Sequence, residues 1–309
     1  MIVSSLKAMT GDSFVITWQG NCVLIDGGMP NTYGEILRKV QGNNLRAIFI
    51  THVDYDHIGG AINLIKQADI DITNCAFFMN NPDLASNYNG TDVRYEHGDT
   101  LQKMLQKRGT DFLPITKNTA PIEIEGLKIK PILPSLELCQ KLCQNWDLSR
   151  VWDEAKGNYD YQKSQRNNGD ILNKASVCLV IEYKNKKALF LGDSHAGDVK
   201  EALLESKELK FDLVKLSHHG SKHNTDADLL EIIECNDYIV ATNSSRYEHP
   251  DPETMRLLSN RAKQKGCIFN VYLNYPIEGL IRQRYKEKYL EDMESLTFIL
   301  QQDVELWCL

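Results

Sequence analysis

The chain has 309 residues, 42% of them hydrophobic and 25% charged, with a formal net charge of −7. This is the profile of a soluble globular chain with ample apolar surface for a core, and it argues against a protein coated in basic surface for nucleic acid. No stretch reaches the ~20 apolar residues of a membrane span, and Met1-Ile-Val-Ser-Ser-Leu-Lys7 shows no secretory pattern. The eight cysteines (Cys22, Cys75, Cys139, Cys143, Cys178, Cys235, Cys267 and Cys308) are scattered, with no Cys-x-x-Cys pair. They read as reduced thiols of a cytoplasmic protein.

In chain order, alternation and apolar runs predict strands over Met1–Lys7, Ser13–Trp18 and Asn21–Ile25, the last two joined at Gln19-Gly20. A helix over Thr32–Val40 precedes a buried strand over Leu45–Thr51. A short helix over Ala61–Gln67, a strand over Asn74–Met79 and a helix over Thr100–Lys107 follow. Two short strands lie within Ala120–Pro131, then a helix over Ser135–Leu148. Gly157–Asn173 is the most polar stretch and reads as a long loop. Strands over Ser176–Tyr183 and Lys187–Leu191, a helix over Asp198–Ser206, strands ending at Leu216 and Asn243, and a helix from Pro252 come next. Cys267–Leu273 is another strand. Leu296–Leu300 and Val304–Leu309 read as a terminal hairpin, whose apolar edge is a candidate docking site for a protein partner.

The chemistry sits at four strand exits. The first is His52-Val53-Asp54-Tyr55-Asp56-His57-Ile58-Gly59-Gly60. His52 and Asp54, two apart, point the same way in an extended segment, and Asp56 and His57 follow as the chain turns into a helix. Imidazole and carboxylate are the usual non-sulfur ligands of zinc, manganese and iron, so four of them within six residues make a candidate metal loop rather than a solvated turn. Gly59-Gly60 fits a close backbone approach. The second exit is Leu191-Gly192-Asp193-Ser194-His195, where Asp193 is equally a helix N-cap or a ligand. The third is Lys215-Leu216-Ser217-His218-His219-Gly220-Ser221, and the fourth leads through Arg246-Tyr247-Glu248-His249 to Pro250-Asp251-Pro252. Of eight histidines, seven lie at or beside these exits, which suggests a crevice site there; His97 is the exception.

The His-x-Asp-x-Asp-His loop, Leu-Gly-Asp193, His218-His219-Gly-Ser and His249-Pro-Asp-Pro-Glu resemble the metallo-β-lactamase fold superfamily. Within it they are similar to the hydrolase domain of the bacterial competence DNA-uptake channel family, and Gly11-Asp12-Ser13 and Leu24-Ile-Asp26-Gly-Gly28 match its opening strands. The resemblance covers about residues 1 to 275. It implies an α/β chain folded as a four-layer αββα sandwich, here one domain over 1–309 with a C-terminal extension from about 276, free of the channel's membrane segments. It also implies two divalent metal ions. His52, Asp54 and Asp193 would hold one; Asp56, His57, Asp193 and His219 the other. His218 would face substrate or support a ligand, His249 would approach the oxyanion or leaving group, and Asp26 would support the ligand loop. The commoner pattern has His where this chain has Asp54, and a further His for which only His97 lies in the right interval. The carboxylate-rich set favours manganese more than a three-histidine site does, with zinc the other candidate.

The activity so implied is metal-dependent hydrolysis of a phosphodiester or nucleic acid by metal-activated water, with Asp56 orienting the water and His249 or Arg246 stabilising developing charge. Two alternatives stand beside it. One is an ester, lactone or thioester hydrolase on the same centre, and the other is a non-catalytic metal-binding regulatory module. Basic clusters at Lys103–Arg108, Arg261–Lys265 and Arg282–Lys288 are candidate nucleic-acid contacts, the last reading first as a solvated helix face.

Overall fold

The computed structural model describes residues 1–66, 70–80, 93–147, 150–153, 158–161 and 171–306, of which 93–98, 147, 150–153 and 158–161 are described as backbone only. The first half contributes β1 (Ile2–Ser5), β2 (Phe14–Trp18), β3 (Asn21–Ile25), α1 (Tyr33–Val40), β4 (Asn44–Phe49), α2 (Tyr55–Lys66), β5 (Ala76–Phe78), α3 (Val93–Lys107) and β6 (Phe112–Leu113). Then come β7 (Ile122–Ile124), β8 (Leu127–Leu133), α4 (Leu136–Asp147), β9 (Arg150–Asp153), β10 (Asn158–Tyr161) and α5 (Ile171–Lys174). The remainder is β11 (Cys178–Tyr183), β12 (Lys186–Phe190), α6 (Ala196–Ser206), β13 (Leu213–Lys215), α7 (Ala227–Ile232), β14 (Asp237–Val240), α8 (Pro252–Lys265), β15 (Phe269–Leu273), α9 (Glu278–Tyr289), β16 (Leu296–Leu300) and β17 (Asp303–Glu305).

Two large sheets result, one ordered β17-β1-β2-β3-β4-β5-β6 and the other β16-β15-β14-β13-β12-β11-β8-β7, with β9 and β10 paired as a separate two-stranded sheet. Side-chain alternation decides how they pack. Phe14 and Ile16 of β2, Val23 and Ile25 of β3, and Leu179 and Ile181 of β11 bury in one cluster between the sheets. Their alternates, such as Val15, Leu24 and Ile48, pack with Ile36, Ile58 and Leu105 of the helices on one outer face. Val180, Leu189 and Val214 do the same with Val199, Leu229 and Leu258 on the other. Three apolar interfaces separate four layers, helix–sheet–sheet–helix, as the resemblance implies.

Two predicted features are corrected. Leu296–Leu300 and Val304 do not form a hairpin: β16 runs parallel to β15 in one sheet, whereas β17 runs antiparallel to β1 in the other. Leu296 and Phe298 bury with the outer helices and Val304 and Leu306 bury between the sheets, so the two runs answer different cores. The polar stretch Gly157–Asn173 is not all loop, since Asn158–Tyr161 pairs with Arg150–Asp153 and Ile171–Lys174 is helical; its residues 162–170, and 157, lie outside those described. Helix α2 also begins at Tyr55, six residues before the predicted start. All seven described cysteines are free, and no described helix is long and apolar enough to cross a membrane.

The glycines of the first exit do what their spacing predicts. A Cβ on Gly60 would stand 2.0 Å from the Gly27 carbonyl oxygen, and one on Gly59 2.7 Å from Pro30 Cδ. Gly27 N donates to His57 O at 2.5 Å and Gly60 N to Gly28 O at 2.9 Å, so α2 lies flush on the loop after β3. Gly60→Ala should therefore lower the unfolding free energy by about 1–3 kcal/mol or more, read by urea denaturation. An unchanged midpoint would contradict this contact.

Candidate metal centre

The exits of β4, β12, β13 and β14 converge at one edge of the sandwich. Asp26, at the end of β3, organises the first of them. Its Oδ1 accepts from Thr51 N at 2.7 Å, and its Oδ2 from Thr51 Oγ1 at 2.6 Å and from His57 Nδ1 at 2.8 Å. That clamp joins the strand exit to the first turn of α2 and turns His57 Nε2 inward.

The same arrangement recurs at the other rings. His52 Nδ1 faces Thr51 Oγ1 at 3.1 Å and Ser176 Oγ at 3.2 Å. His218 Nδ1 lies 3.1 Å from Asn224 Oδ1, and His219 Nδ1 lies 2.8 Å from the Ala241 carbonyl. Each Nδ1 is committed to an outer partner, the network that assigns its proton there and leaves the Nε2 lone pair facing inward. His52, His57 and His218 present Nε2 to Asp193 Oδ2 at 3.9, 3.6 and 3.5 Å. Asp54 Oδ2 is 3.9 Å from His52 Nε2. Ligand atoms of His52, His57 and Asp193 lie within 4.8 Å of one another, as do those of Asp56, His57 and His219.

These are the features of a cation site. His52 Nε2, His57 Nε2 and Asp193 Oδ1 are buried with no hydrogen-bond partner, although such atoms in a packed interior are normally paired. The electrostatics agree. Burial alone would lower the basicity of His57, but the Asp193 and Asp26 carboxylates overcome it and hold the ring well above the ordinary histidine range. Burial works against ionisation of Asp193, and the surrounding imidazoles, His218 foremost, outweigh it and hold its carboxyl well below the ordinary range. His52 is pushed well below, by burial and then by the charge on His57.

Asp193 does not cap α6: His195 is the N-cap residue, with no side-chain cap bond. His218 and His219 both adopt left-handed backbone, with φ of 47° and 57°, and His218 Nε2 lies 3.5 Å from Asp193 Oδ2. His249 stands farther out, its ring 5.5 Å from His218 and 6.4 Å from His219, with Nδ1 3.5 Å from Asp251 Oδ2. The His97 side chain lies outside the described residues.

Sequence reasoning missed three partners. Lys215, on the inner face of β13, is fully buried against Asp12 and donates to Gly192 O at 3.0 Å, with Asp193 Oδ1 at 3.9 Å. Asp12 in turn stands 3.2 Å from His219 Nδ1. Asn224 donates to the Asp193 carbonyl at 2.8 Å while holding His218. The one signal available was a lysine at an inward position of an apolar strand, since a buried lysine requires a partner.

The Metallo-beta-lactamase superfamily profile matches residues 7–76. ComE operon protein 3 of Bacillus subtilis (strain 168) is 28% identical over 109 residues, 33% of this chain, and the match spans 14% of that relative's length. The metallo-β-lactamase fold protein YhfI of Bacillus subtilis superposes with a TM-score of 0.50 at 12% identity, covering 99% of this chain and 100% of its own. Zinc-bound PqqB of Methylobacterium extorquens gives a TM-score of 0.45 at 11% identity over 96% of this chain and 87% of its own. The likeness to YhfI establishes the fold.

Proposed function

Since the chain has the metallo-β-lactamase fold of metal-dependent hydrolases and resembles the competence-channel hydrolase domain in its motifs, we propose that it hydrolyses phosphodiesters at a centre of two divalent metal ions. The observation that carries this reading is the shared orientation of His52, His57 and His218, whose Nδ1 atoms are committed outward and whose Nε2 atoms face Asp193. In this reading His52, Asp54 and Asp193 hold one ion, and Asp56, His57, Asp193 and His219 the other. Manganese or zinc suits that donor set, and its three aspartates, Asp54, Asp56 and Asp193, make it hard enough for phosphate oxygens. When bound, the ions polarise the phosphoryl group and acidify the attacking water.

The chain's own groups do the rest. Asp56, at the first turn of α2, accepts a proton of the attacking water at its carboxylate. Burial keeps His218 below the ordinary histidine range, so its ring is neutral near pH 7. With Nδ1–H given to Asn224, its Nε2 serves as an acceptor toward the same water. His249, oriented by Asp251 Oδ2, which is itself fixed by Lys222 N at 2.8 Å, stabilises the leaving oxygen. Ester, lactone or thioester hydrolysis on the same centre is the second reading, and the fold accommodates it equally.

Stripping the protein of metal and restoring manganese or zinc should switch hydrolysis of bis(p-nitrophenyl) phosphate on, with Asp56→Ala as the inactive control. Turnover of esters or lactones without turnover of the diester would exchange the two readings. Stoichiometric metal with neither activity would favour a regulatory module.

A further inference from the structure

The loop between β14 and α8 is held in an unusual conformation beside the centre. Ser244 and Glu248 both have left-handed backbone, with φ of 59° and 57°. Such conformations cost free energy at residues other than glycine and persist only where the surroundings impose them. Here Arg284 of α9 imposes them: its guanidinium donates to Ser244 Oγ at 2.6 Å and to the Glu248 carbonyl, clamping both ends of the segment.

What the clamp presents is an aromatic face. Tyr247 is 53% exposed at the crest of the loop. The Arg246 guanidinium lies 5.1 Å from its ring centroid, and its ring lies 6.2 Å from that of His249 at an interplanar angle of 26°. His249 leads on to His218 at 5.5 Å, and His218 Nε2 to Asp193 at 3.5 Å. A tyrosine left open to solvent on a strained, tethered loop, one ring removed from the centre, is a stacking surface for a flat group attached to the scissile phosphate.

Charge limits how much of that substrate is recognised. A protein that tracks a long strand needs a row of free cations along the backbone path. The basic face of α9 is instead neutralised: Arg282 pairs with Glu278 at 2.8 Å, Lys286 with Asp292 at 3.2 Å and Lys288 with Glu253 at 2.5 Å, while Arg284 is spent on the loop. Among the described residues Arg246 makes no ion pair, and it stands beside the aromatic face.

We propose that the site recognises only one or two nucleotide residues of a diester, the base stacking on Tyr247 with Arg246 contacting its phosphate, a specificity that rests on the phosphodiesterase reading above. The test is calorimetric titration of the metal-loaded protein with thymidine 5′-monophosphate and with deoxyribose 5-phosphate. The base should tighten binding about tenfold in the wild type and in Tyr247→Phe, and the preference should vanish in Tyr247→Ala. A wild type without base preference, or a Tyr247→Ala protein that keeps it, overturns the inference. A dinucleotide and a twenty-residue single strand should be cleaved with similar kcat/KM; a strong, steeply salt-dependent preference for the strand overturns the size limit. Base preference in a protein that fails on bis(p-nitrophenyl) phosphate removes the phosphodiesterase reading and supports the nucleotide site. Turnover of that diester without base preference removes this inference alone.

Discussion

Asp193→Ala should abolish metal uptake and diester turnover together. Three imidazoles direct Nε2 at this one carboxylate from 3.5 to 3.9 Å, and it is the only carboxylate they share at those distances among the described residues. Removing it leaves the buried nitrogens of His52 and His57 facing one another with no anion between them and takes away the bridge between the two proposed ions. Losing a group that merely orients a ligand costs about 10–100-fold in metal affinity or activity, so loss of the bridge itself should exceed about 100-fold in both. Metal content by elemental analysis, turnover of bis(p-nitrophenyl) phosphate and a melting curve read the three consequences separately. Asn224→Ala, which frees His218 and the Asp193 backbone without removing a ligand, should fall within the smaller range. A folded Asp193→Ala protein that keeps two metals and its activity would refute the assignment.

Lys215→Met should be the most destabilising single change outside the proposed metal ligands. Lys215 and Asp12 are both fully buried and paired with each other. Breaking such a pair from one side leaves an uncompensated charge inside the protein, at a cost of about 3–5 kcal/mol. The double variant Lys215→Met with Asp12→Asn removes both charges and should recover a large part of that loss, measured by urea unfolding. Burial pushes the Asp12 carboxyl up, but Lys215 and His219 outweigh it and hold it well below its ordinary value of 3.8. A carboxyl depressed in the folded state contributes stability that is fully present above its unfolded value and is lost as pH falls through the folded one. The gap between wild type and the double variant should therefore narrow in acid. Single and double variants of equal stability would show that the pair does not act as a unit.

The candidate ligand residues were legible because each follows an apolar run. His52, Asp193 and His218 are polar groups placed where a buried strand ends, and strand exits are where α/β sheets open to solvent. The supporting role of Asp26 came only from the resemblance, which matches Leu24-Ile-Asp26-Gly-Gly28 to the family's opening strands. Asp12 and Lys215 were not legible, because their meaning lies in a juxtaposition: the turn between β1 and β2 meets the inner face of β13 only once the two sheets face each other. Arg284 was hidden for a related reason. In sequence it belongs to a basic helix face, and only the fold brings Ser244 and Glu248 within its reach. The terminal strands misled differently, since two short apolar runs around Gln301-Gln302 look like a hairpin whichever sheets they enter.

The pairing of β17 with β1 has a consequence for biosynthesis. Met1 O accepts from Leu306 N at 2.9 Å, so the edge of the first sheet is laid down after every other described element has been translated. Contacts between residues so far apart in sequence form late and slowly. The centre obeys the same schedule. A nascent chain with only its first half outside the ribosome carries His52, Asp54, Asp56 and His57, but neither Asp193 nor His219. On the proposed ligand assignment, neither ion's full set of residues exists until the second half emerges, so a partly made chain would lack a finished centre.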